Sequence, residues 1–461
     1  MSLKVLMMSL SIMTPLFMLV GGNAYAITAT PIGNCIDLQK IGNDLGYPLS
    51  GNYVLANDID CSDTVNWNAN AGFVPIGSAA TPFIGTFNGQ NHKITGLYIN
   101  LPTTNDIGLI GYSQDATISN LTMSGGSISG QNYVGGINGH EQSLTLSNVS
   151  SSQTIVGADY VGGIVGWNQS NSTVDTILSN VHFSGTLSHD ASTPLSCNAL
   201  AGLIGDNDGN AVITNSSNSG NIGDINSDCD YVGGLTGDSD GNLSISNSYN
   251  TGNIGQLSTS NSIGGISGWS DNLILRNSYS TGNVTGGVDV GGLIGYVGQL
   301  NMLNSYSTGN VTGHNDVGGL AGFVDIDSSP PDYTTITNSY FSGLISSQDP
   351  LTIGGIIGLI NYVRISELTI TSTFWDSQVS SINNGCGSEI IDSVTYTCNP
   401  NGLTGLSTYK LQSASTFTDA SWDFSQTWGI CGGYNNGFPY LLWENPTTCN
   451  KGITPSKVTH Q

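Results

Sequence analysis

The sequence is short of charged residues, and of basic ones above all. Charged residues make up 9% of the 461 positions, with 8 Lys and Arg against 32 Asp and Glu, and the formal net charge is −24. Nucleic acid and anionic membrane surfaces are excluded as favourable partners, because their negative charge repels such a chain. Glu is also rare, whereas Gly, Ser, Thr and Asn are abundant. This balance disfavours long helices and favours short strands and turns.

Long apolar runs are absent beyond the N-terminus. Lys4, the mostly apolar stretch 5–20 and the small residues of "NAYA" predict a secretory signal peptide over residues 1–26. No later run reaches the roughly 20 apolar residues of a membrane-spanning helix, so no membrane insertion is expected. The sequence therefore predicts an exported, acidic protein of the extracellular space or cell surface, with the periplasm as an alternative location.

Metal-binding cysteine motifs are absent too, although the chain has 8 cysteines. No Cys-x-x-Cys pair and no Cys/His cluster occurs, and cysteines in an exported chain favour disulfides. Their grouping along the chain predicts four local bridges: Cys35–Cys61, Cys197–Cys229, Cys386–Cys398 and Cys431–Cys449.

What the sequence does contain is a repeat. A motif of the form apolar-Gly-Gly-Ile/Leu-x-Gly, for example "VGGIVG", recurs nine times with spacings of 27 to 39 residues. Its constant aliphatic residue and third glycine indicate a buried side chain, followed by a backbone position that needs positive φ or a close approach. The second small residue of each motif is Gly108, Gly136, Gly163, Gly202, Gly234, Gly265, Gly292, Gly319 or Gly355.

A second column of the repeat consists of Asn, preceded two positions earlier by an apolar residue in every copy. This alternation predicts a strand with one buried face. A unit this short cannot bury its apolar face alone, so units would stack about 4.8 Å apart with the Asn amides in a ladder. We therefore predict an all-β fold, a right-handed parallel β-helix of about nine coils. The column contains Asn120, Asn148, Asn180, Asn215, Asn247, Asn277, Asn304 and Asn338.

One predicted disulfide tests this register. Cys197 and Cys229 each lie five residues before the second glycine of their motifs, Gly202 and Gly234, and so occupy equivalent positions in adjacent coils. Stacking would bring their Cα atoms to about 5 Å, within the range of a disulfide.

Units such as "YVGGIVGW" and "NSYSTGNVTG" resemble the GLUG-motif repeats of bacterial exported and surface proteins, over about residues 106–375. The flanks "FIGTFNGQNHKITGLYI" and "GLTGLSTYKLQS" resemble the entry and closing segments of such proteins. The resemblance implies adhesion or surface architecture, in some relatives as a stalk beside a catalytic module. The His-Glu-x-x-His motif of the metallopeptidase found in some relatives is absent, since His140 begins "HEQSL".

These features predict four regions in chain order. A signal peptide over 1–26 precedes an N-terminal cap with the first coils over 27–105. The repeat β-helix follows over 106–375, and a disulfide-stapled, aromatic C-terminal cap over 376–461. Ile36, Leu38, Ile41 and Leu45 predict a short amphipathic helix over the first coil.

Two Asp-rich turns, "GDNDGN" and "GDSDGN", occupy the same place in adjacent repeats. Four stacked carboxylates would repel one another unless a hard cation sat among them, and oxygen ligands suit calcium. The alternative is ordinary turn chemistry with solvated carboxylates. The predicted calcium ligands are Asp206, Asp208, Asn210, Asp238, Asp240 and Asn242.

The position after the third glycine of the motif is aromatic in several coils. Trp269, Tyr296 and Phe323 follow in consecutive copies, with Tyr112 and Trp167 earlier. If this column faces outward, it is suited to stacking on sugar rings; if inward, it is part of the core. The same two alternatives apply to the column of Tyr249, Tyr279, Tyr306 and Tyr340.

Catalytic residues are hard to find in the repeats. A polysaccharide lyase needs a positioned Arg or Lys and a hydrolase needs two carboxylates across the bond, yet the repeats contain only Arg276 and Arg364 and no Asp-Asp pair. The histidines His92, His140, His182, His189 and His314 are scattered singly. We therefore predict a non-enzymatic protein of adhesion or of the cell surface or matrix, with a protein or glycan partner on a host or cell surface. A polysaccharide-active enzyme and a carbohydrate-binding module are the alternatives.

Overall fold

The computed structural model describes residues 29–169, 175–190, 197–223, 229–255, 262–326, 333–348, 352–362, 368–391, 394–398 and 400–449. The predicted signal peptide and Arg364 lie outside the described residues. The chain forms a nearly all-β parallel β-helix of about ten stacked coils, which confirms the predicted fold class.

Four sheets line the β-helix, and the strands of successive coils pair in parallel. The largest sheet contains the strands Thr30–Ile32, Asn52–Leu55, Ile59–Asp60, Thr86–Asn88, Lys93–Thr95, Ile110–Ser124, Asn138–Ser151, Val165–Asn168, Thr176–Phe183, Ile204–Asn207, Ala211–Thr214, Ser217–Asn218, Thr236–Asp238, Asn242–Ser246, Tyr249–Asn250, Ser267–Arg276, Tyr279–Ser280, Ile294–Leu303, Tyr306–Ser307, Ala321–Ile326, Thr334–Thr337, Tyr340–Phe341, Ile357–Tyr362, Leu368–Thr371, Thr373–Asp376, Cys386–Ile391, Val394–Thr397 and Leu403–Leu406.

The other sheets are narrower. The second contains Asn132–Gly135, Asp159–Gly162, Cys197–Ala201, Cys229–Gly233, Ile263–Gly264, Val290–Gly291, Val317–Gly318 and Ile353–Gly354. Two four-stranded sheets contain Tyr98–Asn100, Ser127–Ser129, Thr154–Gly157 and Thr186–His189, and then Ile254–Gly255, Val284–Thr285, Val311–Gly313 and Ile345–Ser347. A separate antiparallel pair joins Trp428–Gly429 to Tyr440–Leu441.

The repeat period corresponds to one coil. The two copies of "NSYSTGNVTG" lie directly above one another, with Tyr279 opposite Tyr306 and Val284 opposite Val311. The apolar residue that precedes each ladder Asn by two positions is buried and belongs to one continuous core. These residues are Ile118, Leu146, Leu178, Ile213, Ile245, Leu275, Met302 and Ile336.

Glycine and Asn serve different backbone needs in the repeat. Gly205 is the last glycine of its motif. A Cβ atom added to it would lie 2.7 Å from the carbonyl oxygen of Gly166 in the coil below. Glycine is therefore needed here because the neighbouring backbone is close, and not because φ is positive. All eight ladder Asn residues, in contrast, have φ between 47° and 56°. Some also bond along the axis, as Asn148 Nδ2 donates to Asn120 Oδ1 at 2.9 Å and Asn304 Nδ2 to Asn277 Oδ1 at 3.1 Å.

The structure contains the four predicted disulfides, Cys35–Cys61, Cys197–Cys229, Cys386–Cys398 and Cys431–Cys449. Cys197 and Cys229 lie opposite one another in adjacent parallel strands, with their Cα atoms 4.4 Å apart. The register that was inferred from the motif spacing is therefore correct at these two coils.

Four short helices lie outside the coils: Cys35–Gln39, Ser377–Ser380, Thr408–Leu411 and Ala414–Asp419. In the first, Leu38 is buried but Ile36 is 64% exposed, and Leu45 beyond it is fully exposed, so the predicted apolar face is only half correct. The helix ends at Gln39, where the backbone N–H of Lys40 donates to the carbonyl oxygen of Asp37 at 3.1 Å. No helix in the described parts of the chain is long and apolar enough to cross a membrane.

The predicted C-terminal cap divides into two parts. Strands Cys386–Ile391 and Leu403–Leu406 pair in parallel with Ile357–Tyr362 and Thr373–Asp376, and so continue the β-helix. Residues 408–449, called the C-terminal segment below, instead pack against the flank of the coils and form a second apolar cluster there. This segment covers a side of the β-helix.

Candidate functional site

Three columns of side chains run next to one another on the outer surface of the β-helix, and we call them together the aromatic–acidic face. The central column holds the residue after the third glycine of each motif, and none of its aromatic rings belongs to the interior core. Its members are Tyr112, His140, Trp167, Asp206, Asp238, Trp269, Tyr296, Phe323 and Leu359. One flanking column contains Asp106, Tyr133, Tyr160, Ala199, Tyr231, Ser262, Asp289 and Asp316. The other flanking column contains Gln114, Gln142, Gln169, Asp208, Asp240, Asp271, Gly298 and Asp325.

The coils at the N-terminal end of this face form an aromatic cluster. The ring centroids of Tyr133 and Trp167 are 4.6 Å apart with their planes 23° from parallel, and Tyr133 also stacks on Tyr160 at 5.5 Å. His140 lies between Tyr112 and Trp167, at 4.2 and 4.3 Å. Its Nδ1 is 3.0 Å from Asp106 Oδ1, and its Nε2 is 3.0 Å from the amide oxygen of Gln169. These contacts fix the ring of His140 in the stack.

A second aromatic cluster lies further along the same face. Trp269 stacks on Tyr296 with centroids 5.5 Å apart and planes 8° from parallel. Tyr296 meets Phe323 edge to face at 5.2 Å, and Tyr231 lies beside Trp269 at 5.9 Å. The hydroxyl of Tyr296 donates to Asp325 Oδ2 at 2.7 Å. The predicted glycan-stacking residues Trp269, Tyr296 and Phe323 thus lie on one outward column, so the inward alternative is wrong for them.

Carboxyl groups separate the two aromatic clusters. Asp206 and Asp238 lie opposite one another in strands Ile204–Asn207 and Thr236–Asp238, in the column positions that are aromatic in the coils on either side. Asp206 is only 5% exposed, and the Oδ1 atoms of both residues are buried without a hydrogen-bond partner. Asp208 accepts a hydrogen bond from Trp167 Nε1 at 3.1 Å, whereas Asp240 is exposed.

Burial, and then the proximity of other carboxyl groups, raises the pKa values of the aspartates on this face. Burial, followed by the negative charge of Asp238, raises the pKa of Asp206 to about 9. Burial and then the charge of Asp240 raise the pKa of Asp238 to about 7. Burial also raises the pKa of Asp159, although this carboxyl accepts two hydrogen bonds from Asn198, at 2.7 and 2.9 Å. At neutral pH Asp206 therefore holds a proton.

The six residues predicted to bind calcium do not lie together in two stacked turns. Asp206 and Asp238 lie in strands rather than in turns. Asn210 and Asn242 belong to a separate amide ladder, in which Asn242 Nδ2 donates to Asn210 Oδ1 at 2.8 Å and Asn272 Nδ2 donates to Asn242 Oδ1 at 2.7 Å. Within the described ranges no group of three or more His, Cys, Asp or Glu residues is arranged to hold a metal ion. Calcium binding therefore stays a prediction.

The second tyrosine column has a different environment. Tyr249, Tyr279, Tyr306 and Tyr340 stack in order with centroid distances of 5.1, 4.9 and 5.0 Å. They face away from the main core and pack under the C-terminal segment, together with residues such as Trp422 and Trp428. This column is a packing surface within the chain, and its more C-terminal members are fully buried.

Glu444 joins the C-terminal segment to that column. Its carboxylate accepts hydrogen bonds from the hydroxyl of Tyr306 at 3.0 Å and of Tyr434 at 2.8 Å, and from the backbone N–H of Leu441 at 2.6 Å. Burial raises the pKa of Glu444 to about 7, against the opposing effect of these donors. The indole N–H of Trp443 also donates to the carbonyl oxygen of Asn277 at 3.0 Å.

Sequence reasoning missed Tyr133, Tyr160, Tyr231 and the position of His140 in the aromatic stack. A signal was available, because Tyr directly precedes Val-Gly-Gly in "NYVGG" and in both copies of "DYVGG". That shared spacing places the three tyrosines in one column.

No protein-family model matches the chain. Halomucin from Haloquadratum walsbyi is 36% identical over 137 residues, which are 29% of this chain and 2% of Halomucin. The chain thus spans a small part of the length of this relative. The crystal structure of a candidate immunoglobulin A1 protease from Bacteroides ovatus aligns over 90% of this chain and 92% of its own, with 17% identity and a TM-score of 0.31.

Proposed function

We propose that this chain is an exported, extracellular repeat protein that acts in adhesion or as a surface or matrix component, and that it binds glycan chains along the aromatic–acidic face. The observation that carries the proposal is the arrangement of two outward aromatic clusters in line on one face of the rod. Aromatic side chains present flat apolar surfaces to which the faces of sugar rings can bind.

Three further features support this role. Four disulfides suit an oxidising, extracellular location, and the similarity to part of Halomucin is consistent with it. The resemblance to GLUG-motif repeats points to the same surface role and stays a prediction. The rise of about 4.8 Å per coil is close to the length of one sugar unit in an extended polysaccharide, so successive units can meet successive coils.

Retention on immobilised polysaccharides tests the proposal. Wild type is expected to be retarded in affinity electrophoresis through at least one neutral or amino-sugar polymer. Trp269→Ala and Trp167→Ala should each weaken retention, because each removes a ring from one cluster. Tyr409→Ala is the matched control, since this tyrosine is 75% exposed and lies in the C-terminal segment, outside the face.

The outcomes separate the candidate functions. Retention that disappears with Trp269→Ala and persists with Tyr409→Ala supports the glycan-binding face. Release of new reducing or unsaturated ends from the polymer would instead favour a polysaccharide-active enzyme. Retention that neither tryptophan substitution weakens would contradict the assignment to this face.

A further inference from the structure

The carboxyl groups between the two aromatic clusters outnumber the basic side chains of the three columns, of which His140 acts on Asp208. The face contains no Lys or Arg in its three described columns, and His140 already contacts Asp106 and Gln169. Asp206 is 5% exposed, and the strand register places it opposite Asp238 and beside the column that contains Asp208 and Asp240. The buried Oδ1 atoms of Asp206 and Asp238 have no hydrogen-bond partner.

This combination favours a cationic ligand over a neutral one. A buried carboxyl without a partner is costly, and an approaching cation would stabilise it in its charged form. The aromatic rings on both sides add attraction for a cation over their faces. Tyr231 and Trp269 border the carboxyl groups on one side, and Trp167 donates to Asp208 on the other.

The same residues favour an organic cation over a metal ion. Within the described ranges no three acidic or histidine side chains converge as metal ligands. Asn210 and Asn242, which would complete a calcium site, are engaged in their own amide ladder. An ammonium group needs fewer converging oxygen atoms than calcium, and it tolerates aromatic neighbours.

We propose that the ligand of the aromatic–acidic face is a polysaccharide that carries protonated amino groups. Its sugar rings contact the two aromatic clusters, and its ammonium groups bind at the carboxyl groups of Asp206, Asp208, Asp238 and Asp240 between them. The inference rests on the proposed glycan-binding function and names its substrate class. The strong negative charge of the whole chain adds long-range attraction for such a polymer.

A matched pair of ligands tests the inference: hexasaccharides of β-1,4-linked glucosamine and of N-acetylglucosamine, which have equal length and linkage but differ in charge. Calorimetry in mildly acidic buffer, where the glucosamine amines are already protonated, should give an affinity about tenfold higher for the amino form, an amount typical of one favourable charged contact. Because the raised pKa values of Asp206 and Asp238 keep both carboxyl groups protonated in mildly acidic buffer, binding of the amino form should also release protons. Repeating the titration in buffers of different ionisation enthalpy measures this release.

The double variant Asp206→Asn/Asp238→Asn should lower the affinity ratio toward one, because only Asp208 and Asp240 remain, while it retains binding of the acetylated hexasaccharide. Asp63→Asn/Asp419→Asn removes the same number of carboxyl groups at exposed positions outside the face and should keep the preference. Circular dichroism of each variant verifies the fold.

Each other outcome overturns the inference in a distinct way. Equal affinity of wild type for both hexasaccharides would remove the charge preference and leave the glycan-binding function standing, whereas binding of neither would remove both. Binding of polylysine in competition with the amino form, at equal affinity per charge, would identify a basic peptide as the partner. Loss of the amino preference in calcium, with thermal stabilisation by calcium, would identify a calcium site.

Discussion

Two aromatic columns of the same β-helix have the same stacking geometry and different surroundings. Tyr279 and Tyr306 lie 4.9 Å apart beneath the C-terminal segment, and Trp269 and Tyr296 lie 5.5 Å apart on the outer surface. In both columns the stack follows from the register of the coils. The two columns differ in what packs on them. The C-terminal segment covers the tyrosine column, whereas no described residue of the chain covers the column of Trp269 and Tyr296.

The carboxyl groups next to the two columns differ in the same way. Glu444 accepts hydrogen bonds from Tyr306, Tyr434 and the backbone of Leu441, so its burial is compensated by donors of the chain. Asp206 is buried with an Oδ1 atom that has no donor. A repeat creates stacked rings wherever its residues recur, and the neighbouring polar groups distinguish the packing surface from the surface that is proposed to bind glycan.

The largest effect expected from this comparison is on stability. Tyr340→Ala should lower the free energy of unfolding by about 3–5 kcal/mol, because it empties a fully buried site under the C-terminal segment. Trp269→Ala, in the partly exposed column, should cost about 1 kcal/mol, the value of a surface ring pair. Urea denaturation followed by circular dichroism measures both. Equal losses would mean that the two columns do not differ in the way described.

A smaller effect is expected at Asp206. Its pKa is about 9 in the folded chain against an ordinary value of 3.8, so the folded state keeps a proton that the unfolded state releases between these values. Stability should therefore fall as the pH rises through this window. Asp206→Asn removes the loss and should stabilise the protein by about 1–3 kcal/mol at neutral pH, with no gain near the lower end of the window.

Thermal melts of wild type and Asp206→Asn across the pH range measure this difference. Asp63→Asn is the control, since Asp63 is exposed, and it should leave the pH profile of wild type unchanged. A constant difference between Asp206→Asn and wild type at all pH values would contradict the assignment, because a packing effect of the amide does not titrate.

The repeat made most of the fold predictable. Coil register, the core positions and the Cys197–Cys229 bridge follow from residues that recur at one spacing, and local sequence is sufficient for them. The direction of the aromatic columns was not predictable, because side-chain alternation is lost where the chain turns a corner next to the motif. The cover of the tyrosine column could not be found either, since Glu444 lies 138 residues from Tyr306.

The arrangement of the candidate site was also only partly predictable from sequence. Sequence grouped Asp206, Asp208, Asp238 and Asp240 because the two turns are similar. The structure instead aligns Asp206 and Asp238 with the aromatic column, and it places Asn210 and Asn242 in a separate ladder. Whether a residue of the motif aligns with the aromatic column depends on where the strand ends within the motif. The short strand Thr236–Asp238 has no sequence pattern that predicts its end.

The smallest expected effect concerns the attachment of the C-terminal segment. The pKa of Glu444 is about 7 in the folded chain against 4.5 ordinarily, so attachment should weaken as the pH rises from about 4.5 to 7 and change little above. Glu444→Gln should remove this pH dependence. It should also cost about 1 kcal/mol at low pH, because the amide has one oxygen fewer to accept hydrogen bonds from Tyr306 and Tyr434.

Tryptophan fluorescence measures this attachment, because Trp428 and Trp443 contact the tyrosine column directly. Asp238 and Asp289, whose pKa values are also about 7, titrate in the same range but lie on the aromatic–acidic face. Asp238→Asn is therefore the matched control: it should change the affinity for an amino-sugar polymer and leave the pH profile of the fluorescence intact. If Asp238→Asn rather than Glu444→Gln flattens that profile, the two columns are coupled through the core, and the distinction between a covered and an open column no longer describes two independent surfaces.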